Sequence, residues 1–128
     1  MSAKGHRDIA ASDIDWRTGS VPGVEYVSFR VNEEKASSPS IVLSKFAPGA
    51  EVEPHTHDSN YFEYIIEGDQ TVGKVRFGAG DVRLVNGGTG YGPIKVGPHG
   101  CTVLIVFEDG ARAATEKLPR KKLAAAAS

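Results

Sequence analysis

The chain is short of several things, and each shortage excludes something. Its 128 residues include one cysteine, Cys101, one methionine and one tryptophan. A single cysteine rules out an internal disulfide framework and agrees with a reducing compartment, so a cytoplasmic location is expected. No apolar run approaches the roughly 18 residues of a membrane span. No charged-then-apolar N-terminus reads as a signal peptide. Segments of helical period are nearly absent before Ala111. Clustered cations are missing as well, because residues 1–110 carry 10 basic side chains against 15 acidic ones. Phosphate contacts need such clusters, so nucleic acid is not an expected partner. What remains, 40% hydrophobic and 24% charged residues, suits a folded chain with one domain and one modest core.

The excess of positive charge sits at the C-terminus, where Arg112, Lys117, Arg120, Lys121 and Lys122 accompany the single acid Glu116. Such a tail reads as solvated and frayed; contact with an anionic partner is the alternative. The ending Lys122-Leu123-Ala124-Ala125-Ala126-Ala127-Ser128 looks vector-derived and is not expected to belong to the fold. Three parts are therefore expected: an N-terminal segment over 1–20, a body over 21–110, and a basic tail over 111–128. Ala111–Leu118 has room for one or two helical turns before Pro119. Trp16 is the residue of the N-terminal segment best suited to hold it on the body.

Fifteen glycines and seven prolines punctuate the chain at regular intervals. Ala47-Pro48-Gly49-Ala50, Glu67-Gly68-Asp69-Gln70, Gly78-Ala79-Gly80-Asp81, Asn86-Gly87-Gly88-Thr89-Gly90 and Gly97-Pro98-His99-Gly100 read as turns. Between them lie β-branched and aromatic runs: Val24–Val31, Ser40–Phe46, Glu51–His57, Tyr61–Glu67, Thr71–Phe77, Asp81–Val85, Tyr91–Val96 and Cys101–Glu108. About eight strands at 8–12-residue spacing predict an antiparallel sandwich or barrel.

The run Glu51–His57 is unusual for a buried strand. By the two-residue period, Glu51, Glu53, His55 and His57 share one face. Two histidines at i and i+2 stand about 7 Å apart at the backbone, near enough to reach one ion. Imidazole suits Fe, Mn, Ni, Zn and Cu to different degrees, so the pair does not select a metal. Two inward histidines hydrogen-bonded to neighbouring tyrosines or a glutamate are the alternative.

Gly49-x5-His55-x-His57 followed by Tyr61-x6-Gly68 resembles the first motif of the cupin superfamily, and Tyr64-Ile65-Ile66-Glu67-Gly68 is similar to that family's "YVLEG". Gly80-Asp81-Val82-x3-Asn86-x-Gly88-x2-Tyr91 resembles its second motif. The match spans roughly residues 40–108. Trp16…Val21-Pro22-Gly23-Val24 and Gly100-Cys101-Thr102-Val103-Leu104 are similar to the ChrR-type and dihydroxyacetophenone-dioxygenase-like subgroup. The resemblance implies an all-β, single-domain cupin jelly-roll β-barrel, and a homodimer. It also implies a metal held by three histidines and a glutamate. Here the glutamate position is Tyr61 and the last histidine position is Tyr91, so only His55 and His57 carry over.

Glu63 has the strand parity of Tyr61. With His55 and His57 it would complete a two-histidine, one-carboxylate set with open positions on a divalent transition metal. Pairing of Glu63 with Lys74 or Arg76 on a neighbouring strand is the alternative. Tyr91, with Tyr61, would then orient substrate or move a proton beside the metal. The expected function is a small metal-dependent enzyme acting on a small organic molecule, most plausibly a dioxygenase-type oxidoreductase. A non-catalytic ligand- or metal-binding and sensing module, and an isomerase or lyase with or without metal, are the alternatives. His99 reads as an exposed turn residue, His6 as part of a frayed end, and Cys101 as a buried thiol on a core strand.

Overall fold

The computed structural model describes residues 5–118. The vector-like ending, with Arg120, Lys121 and Lys122, lies outside them. Ten strands follow one another: β1 (Arg17–Thr18), β2 (Val24–Arg30), β3 (Ser40–Phe46), β4 (Glu51–Val52), β5 (His55–His57), β6 (Tyr61–Val72), β7 (Val75–Gly78), β8 (Val82–Val85), β9 (Ile94–Phe107) and β10 (Thr115–Lys117). Among the described residues there is no α-helix, and no helix long and apolar enough to cross a membrane.

The main sheet runs β1-β2-β3-β9-β6-β7, with β4 added on β9 and β8 on β6. All the pairings are antiparallel. This is the all-β jelly-roll barrel that the resemblance implies. Register decides which side chains face inward. Ser40 stands opposite Phe107, Val42 opposite Ile105 and Ser44 opposite Val103; Tyr61 also stands opposite Phe107, and Ile65 opposite Val103. Cross-strand partners share a face, so these rows all line the interior. Its closed part is a cluster of Ile65, Val96, Cys101 and Val103, backed by Phe46, Ala50, Phe77 and Ile105.

Four expected elements come out differently. The run Glu51–His57 breaks at Pro54, which has no N–H to continue a ladder. As a result Glu51 and Glu53 are exposed while His55, Thr56 and His57 are all buried. Glu67–Gln70 is not a turn between strands but an irregularity within β6, where the register on β9 shifts twice. Gly97–Gly100 is the matching excursion of β9. Gly68 takes φ +79° there, and a Cβ on it would fall on the Gly100 carbonyl. Finally, Ala111–Leu118 is not helical. After a single 3-10 turn at Gly110–Arg112, capped by the Asp109 carboxylate, the chain enters β10 and pairs with β5. Thr115 meets His57, Glu116 meets Thr56, and Lys117 meets His55. The first eight residues of the expected solvated tail therefore lie along the histidine strand.

Trp16 does attach the N-terminal segment to the body, its ring lying 4.0 Å beneath the Lys45 ammonium on β3. His99 and His6 are exposed. Cys101 is a buried free thiol, and burial pushes its pKa up to about 12.

Candidate functional site

β5 is held on both sides. β10 runs along one edge, and on the other His55 N–H donates to the Tyr91 carbonyl at 3.0 Å while Tyr91 N–H returns a bond to His55 at 3.1 Å. The Gly88 N–H donates to the His57 carbonyl at 2.7 Å. These backbone bonds set the strand's rotation and send both imidazoles into the barrel.

Each imidazole is then oriented by a second contact. His55 Nδ1 lies 2.8 Å from the Glu53 carbonyl oxygen, and His57 Nδ1 lies 2.8 Å from that of Ala113. A carbonyl only accepts, so Nδ1 carries the proton in both rings and Nε2 keeps its lone pair. Burial lowers both pKa values, partly opposed by these same carbonyl bonds. Both histidines are therefore neutral near pH 7, with ring centroids 5.1 Å apart. Ala113 belongs to the segment whose composition reads as a frayed tail.

Aromatic side chains enclose the pair. Tyr91 lies 4.7 Å from His55 between centroids, Tyr61 lies 5.4 Å from His57, and Phe107 lies 5.0 Å from His57. Burial pushes the Tyr61 phenol up to about 12 and raises that of Tyr91 further. The Tyr61 hydroxyl is buried near Tyr91 and Arg83, yet it makes no hydrogen bond of good geometry with either.

His55, His57, Tyr61, Glu63 and Tyr91 thus come together inside one barrel, but Glu63 is not on the histidines. Its Oε1 accepts from Arg83 Nη1 at 2.8 Å and from Gln70 Nε2 at 3.0 Å. The three-ligand set of His55, His57 and Glu63 is therefore not assembled, and among the described residues no three His, Cys, Asp or Glu side chains are grouped to hold a metal. The cation opposite Glu63 is neither Lys74 nor Arg76; Arg76 pairs with Asp69 at 3.3 Å. Arg83 is the residue that sequence reasoning missed. Register places it directly opposite Glu63 on β8, and the signal was its parity with Val85, which pairs with inward Tyr61. Burial opposes its charge, but the charge and hydrogen bond of Glu63, with Tyr61 and Tyr91 beside it, together raise its pKa. Its guanidinium lies 4.7 Å from the Tyr91 ring.

The donor chemistry fits a divalent transition metal at the histidine pair. Two neutral imidazoles offer Nε2, a buried phenol beside them lacks a partner, and Nδ1-to-carbonyl bonds are what orient metal-ligating histidines generally. A cavity of about 740 Å³ lies beside Phe107 and Ala113, lined also by Tyr26, Ser28, Ser40 and Val42, and by none of His55, His57, Tyr61, Arg83 or Tyr91. Phe107 and Ala113 are also His57's neighbours, so cavity and site share a wall.

Residues 5–111 match the model of the ChrR cupin-like domain. The chain belongs to that family. No curated protein matches it at a comparable level. Solved structures share the fold of this ChrR cupin-like domain at low identity. The polyketide cyclase RemF from Streptomyces resistomycificus superposes with a TM-score of 0.70 at 17% identity, covering 89% of this chain and 86% of its own. Oxalate decarboxylase from Bacillus subtilis at pH 4.6 gives 0.72 at 23% identity, covering 98% of this chain and 37% of its own. This chain therefore spans little more than a third of that enzyme. The anti-sigma ChrR, in complex with SigE of Rhodobacter sphaeroides, gives 0.63 at 21%, covering 77% of this chain and 50% of that one. β10 and the Ala113 carbonyl lie beyond the residues matched by the family.

Proposed function

We propose that this ChrR cupin-like domain is a small metal-dependent enzyme acting on a small organic molecule taken up through the cavity beside Phe107. One observation carries the proposal: both histidines spend Nδ1 on backbone carbonyls, leaving two neutral Nε2 lone pairs beside an unpartnered phenol. His55 and His57 would hold the ion. Bound there, a divalent transition metal supplies Lewis acidity and open coordination positions, which a dioxygenase-type oxidation needs. The chain's own residues supply the rest. Tyr91 holds a phenolic proton beside His55, and Phe107 and Tyr61 keep bulk water from the pair. Glu63, instead of ligating, holds Arg83. That weakens the oxidation relative to acid–base chemistry on a carbonyl or carboxyl group, the kind of group named in the decarboxylase relative.

The second reading is a binding or sensing module of the same barrel, favoured by the withdrawal of Glu63 onto Arg83 and by the sigma-factor complex of ChrR. A homodimer is part of either reading, supported by the apolar outer face of β6 and β8, where Tyr64, Ile66, Val82 and Leu84 are exposed. A reducing cytoplasm suits the free Cys101 thiol.

Metal analysis tests the metal-dependent reading. The full chain, incubated in turn with Fe, Mn, Ni, Zn and Cu and then desalted, is expected to retain about one ion of at least one of them, at ligand distances near 2.0–2.3 Å. His55→Ala and His57→Ala should each release it. Protein that retains none of the five overturns the metal enzyme and leaves the binding module.

A further inference from the structure

We propose that Arg83 and the Tyr61 hydroxyl together form a subsite for an anionic oxygen, so that the molecule taken up by the barrel carries a carboxylate or an enolate. The inference rests on the barrel being a small-molecule site and deepens that part of the proposed function; it does not rest on the metal.

β8 is built inside out. Val82 is 47% exposed and Leu84 80% exposed, while the Arg83 side chain between them points inward with 9% exposure. A strand chosen for stability alone would place these residues the other way round. Arg83 gains little protein bonding from its burial. A guanidinium carries five N–H donors, and among the described residues only Nη1 finds a side-chain acceptor, the Glu63 oxygen at 2.8 Å. Gln70 spends an N–H on that same oxygen. A buried ion pair of this kind seldom repays its own desolvation. The guanidinium lies against the rings of Tyr91 at 4.7 Å and Phe77 at 5.3 Å, which fixes its plane.

The second observation is independent of the first. Tyr61 is 5% exposed, and its hydroxyl is the one buried side-chain polar atom of the described residues without a hydrogen-bond partner. Such groups are rare in folded chains, and a missing acceptor is an ordinary explanation. Arg83 lies beside this hydroxyl. The phenol oxygen can also accept from Arg83, but its own O–H and the guanidinium's unused N–H groups are donors. The group that satisfies them together is therefore an acceptor, and an anionic oxygen is the acceptor a guanidinium binds best. His55 and His57 stand next to it, which would bring the anion's neighbouring atoms to the histidines.

The probe is benzoate, with benzamide as its neutral counterpart of the same shape, titrated calorimetrically into the full chain both as purified and after chelation. Benzoate is expected to bind both forms, and benzamide at least about 10-fold more weakly, the usual scale of a charge-assisted bond. Tyr61→Phe should weaken benzoate about 10-fold by the same scale while the unfolding midpoint stays equal or rises. Arg83→Lys should weaken it as well; if that variant does not fold, Tyr61→Phe decides. Equal binding of benzoate and benzamide, unchanged benzoate affinity in Tyr61→Phe, or no benzoate binding at about 10 mM, a free energy near 3 kcal/mol, each overturns the subsite. Benzoate bound as purified but lost on chelation also overturns it, while leaving the metal enzyme standing.

Discussion

The two parts of the barrel interior are built on opposite principles. Around Ile65, Val96, Cys101 and Val103 the interior is apolar and closed, packed by Phe46, Ala50, Phe77 and Ile105. Beside it, His55, His57, Glu63, Gln70, Arg83 and the Tyr61 hydroxyl bring charges and polar groups into the interior as well. β6 serves both parts, with Ile65 in one and Tyr61 and Glu63 in the other. The apolar part gains from each residue buried, about 1.5–3 kcal/mol for a large aliphatic side chain. The polar part needs every partner present to avoid a loss. One part holds the fold and the other uses it.

Breaking the polar part at its charge should have the largest effect. Arg83→Met leaves Glu63 buried without its cation, and destabilisation of about 3–5 kcal/mol is expected, measured by denaturant unfolding. Ile65→Ala breaks the apolar part instead. Opening a cavity there should cost about 3 kcal/mol, while metal content per folded chain stays the same; loss of metal with it would merge the two parts.

Acid acts on the polar part alone. The unfolded histidines take up protons below about pH 6.5, but burial holds the folded values of His55 and His57 lower. The unfolded chain therefore binds more protons in that window, and stability, full above pH 6.5, falls as pH drops towards the lowered folded values. His55→Ala and His57→Ala together should flatten this part of the profile, as unfolding midpoints between pH 7 and 5 will show. The smallest effect has the opposite sign. Tyr61→Phe removes a hydroxyl that has no partner, and a gain of about 1 kcal/mol is expected; a clear loss would mean that the hydroxyl is bonded within the protein.

The same division accounts for what the sequence displayed. The apolar part was legible, because alternation along β3, β6 and β9 and the spacing of the turns follow from local chemistry. The histidine pair was legible too, since His-x-His keeps its parity in any short strand. Arg83 was not, because a cation between Val82 and Leu84 reads as the solvent side of a strand, and only the pairing with Glu63 reverses that. β10 was hidden for a similar reason: Thr115–Lys117 becomes a strand only because the edge of β5 lies beside it, about 60 residues earlier in the chain. Gly68 signalled positive φ correctly, but a bulge and a turn both need it. Local pattern reports the structure that local burial stabilises; functional residues depart from it where a distant partner compensates.

The central claim is that the Nδ1 contacts of His55 and His57 prepare two Nε2 atoms for one metal ion. X-ray absorption at the metal edge of the reconstituted full chain tests it most directly. The account predicts two imidazole nitrogens at about 2.0–2.1 Å for zinc, and no retained metal in His57→Ala. A shell of oxygen alone, or one unchanged by His57→Ala, would contradict it.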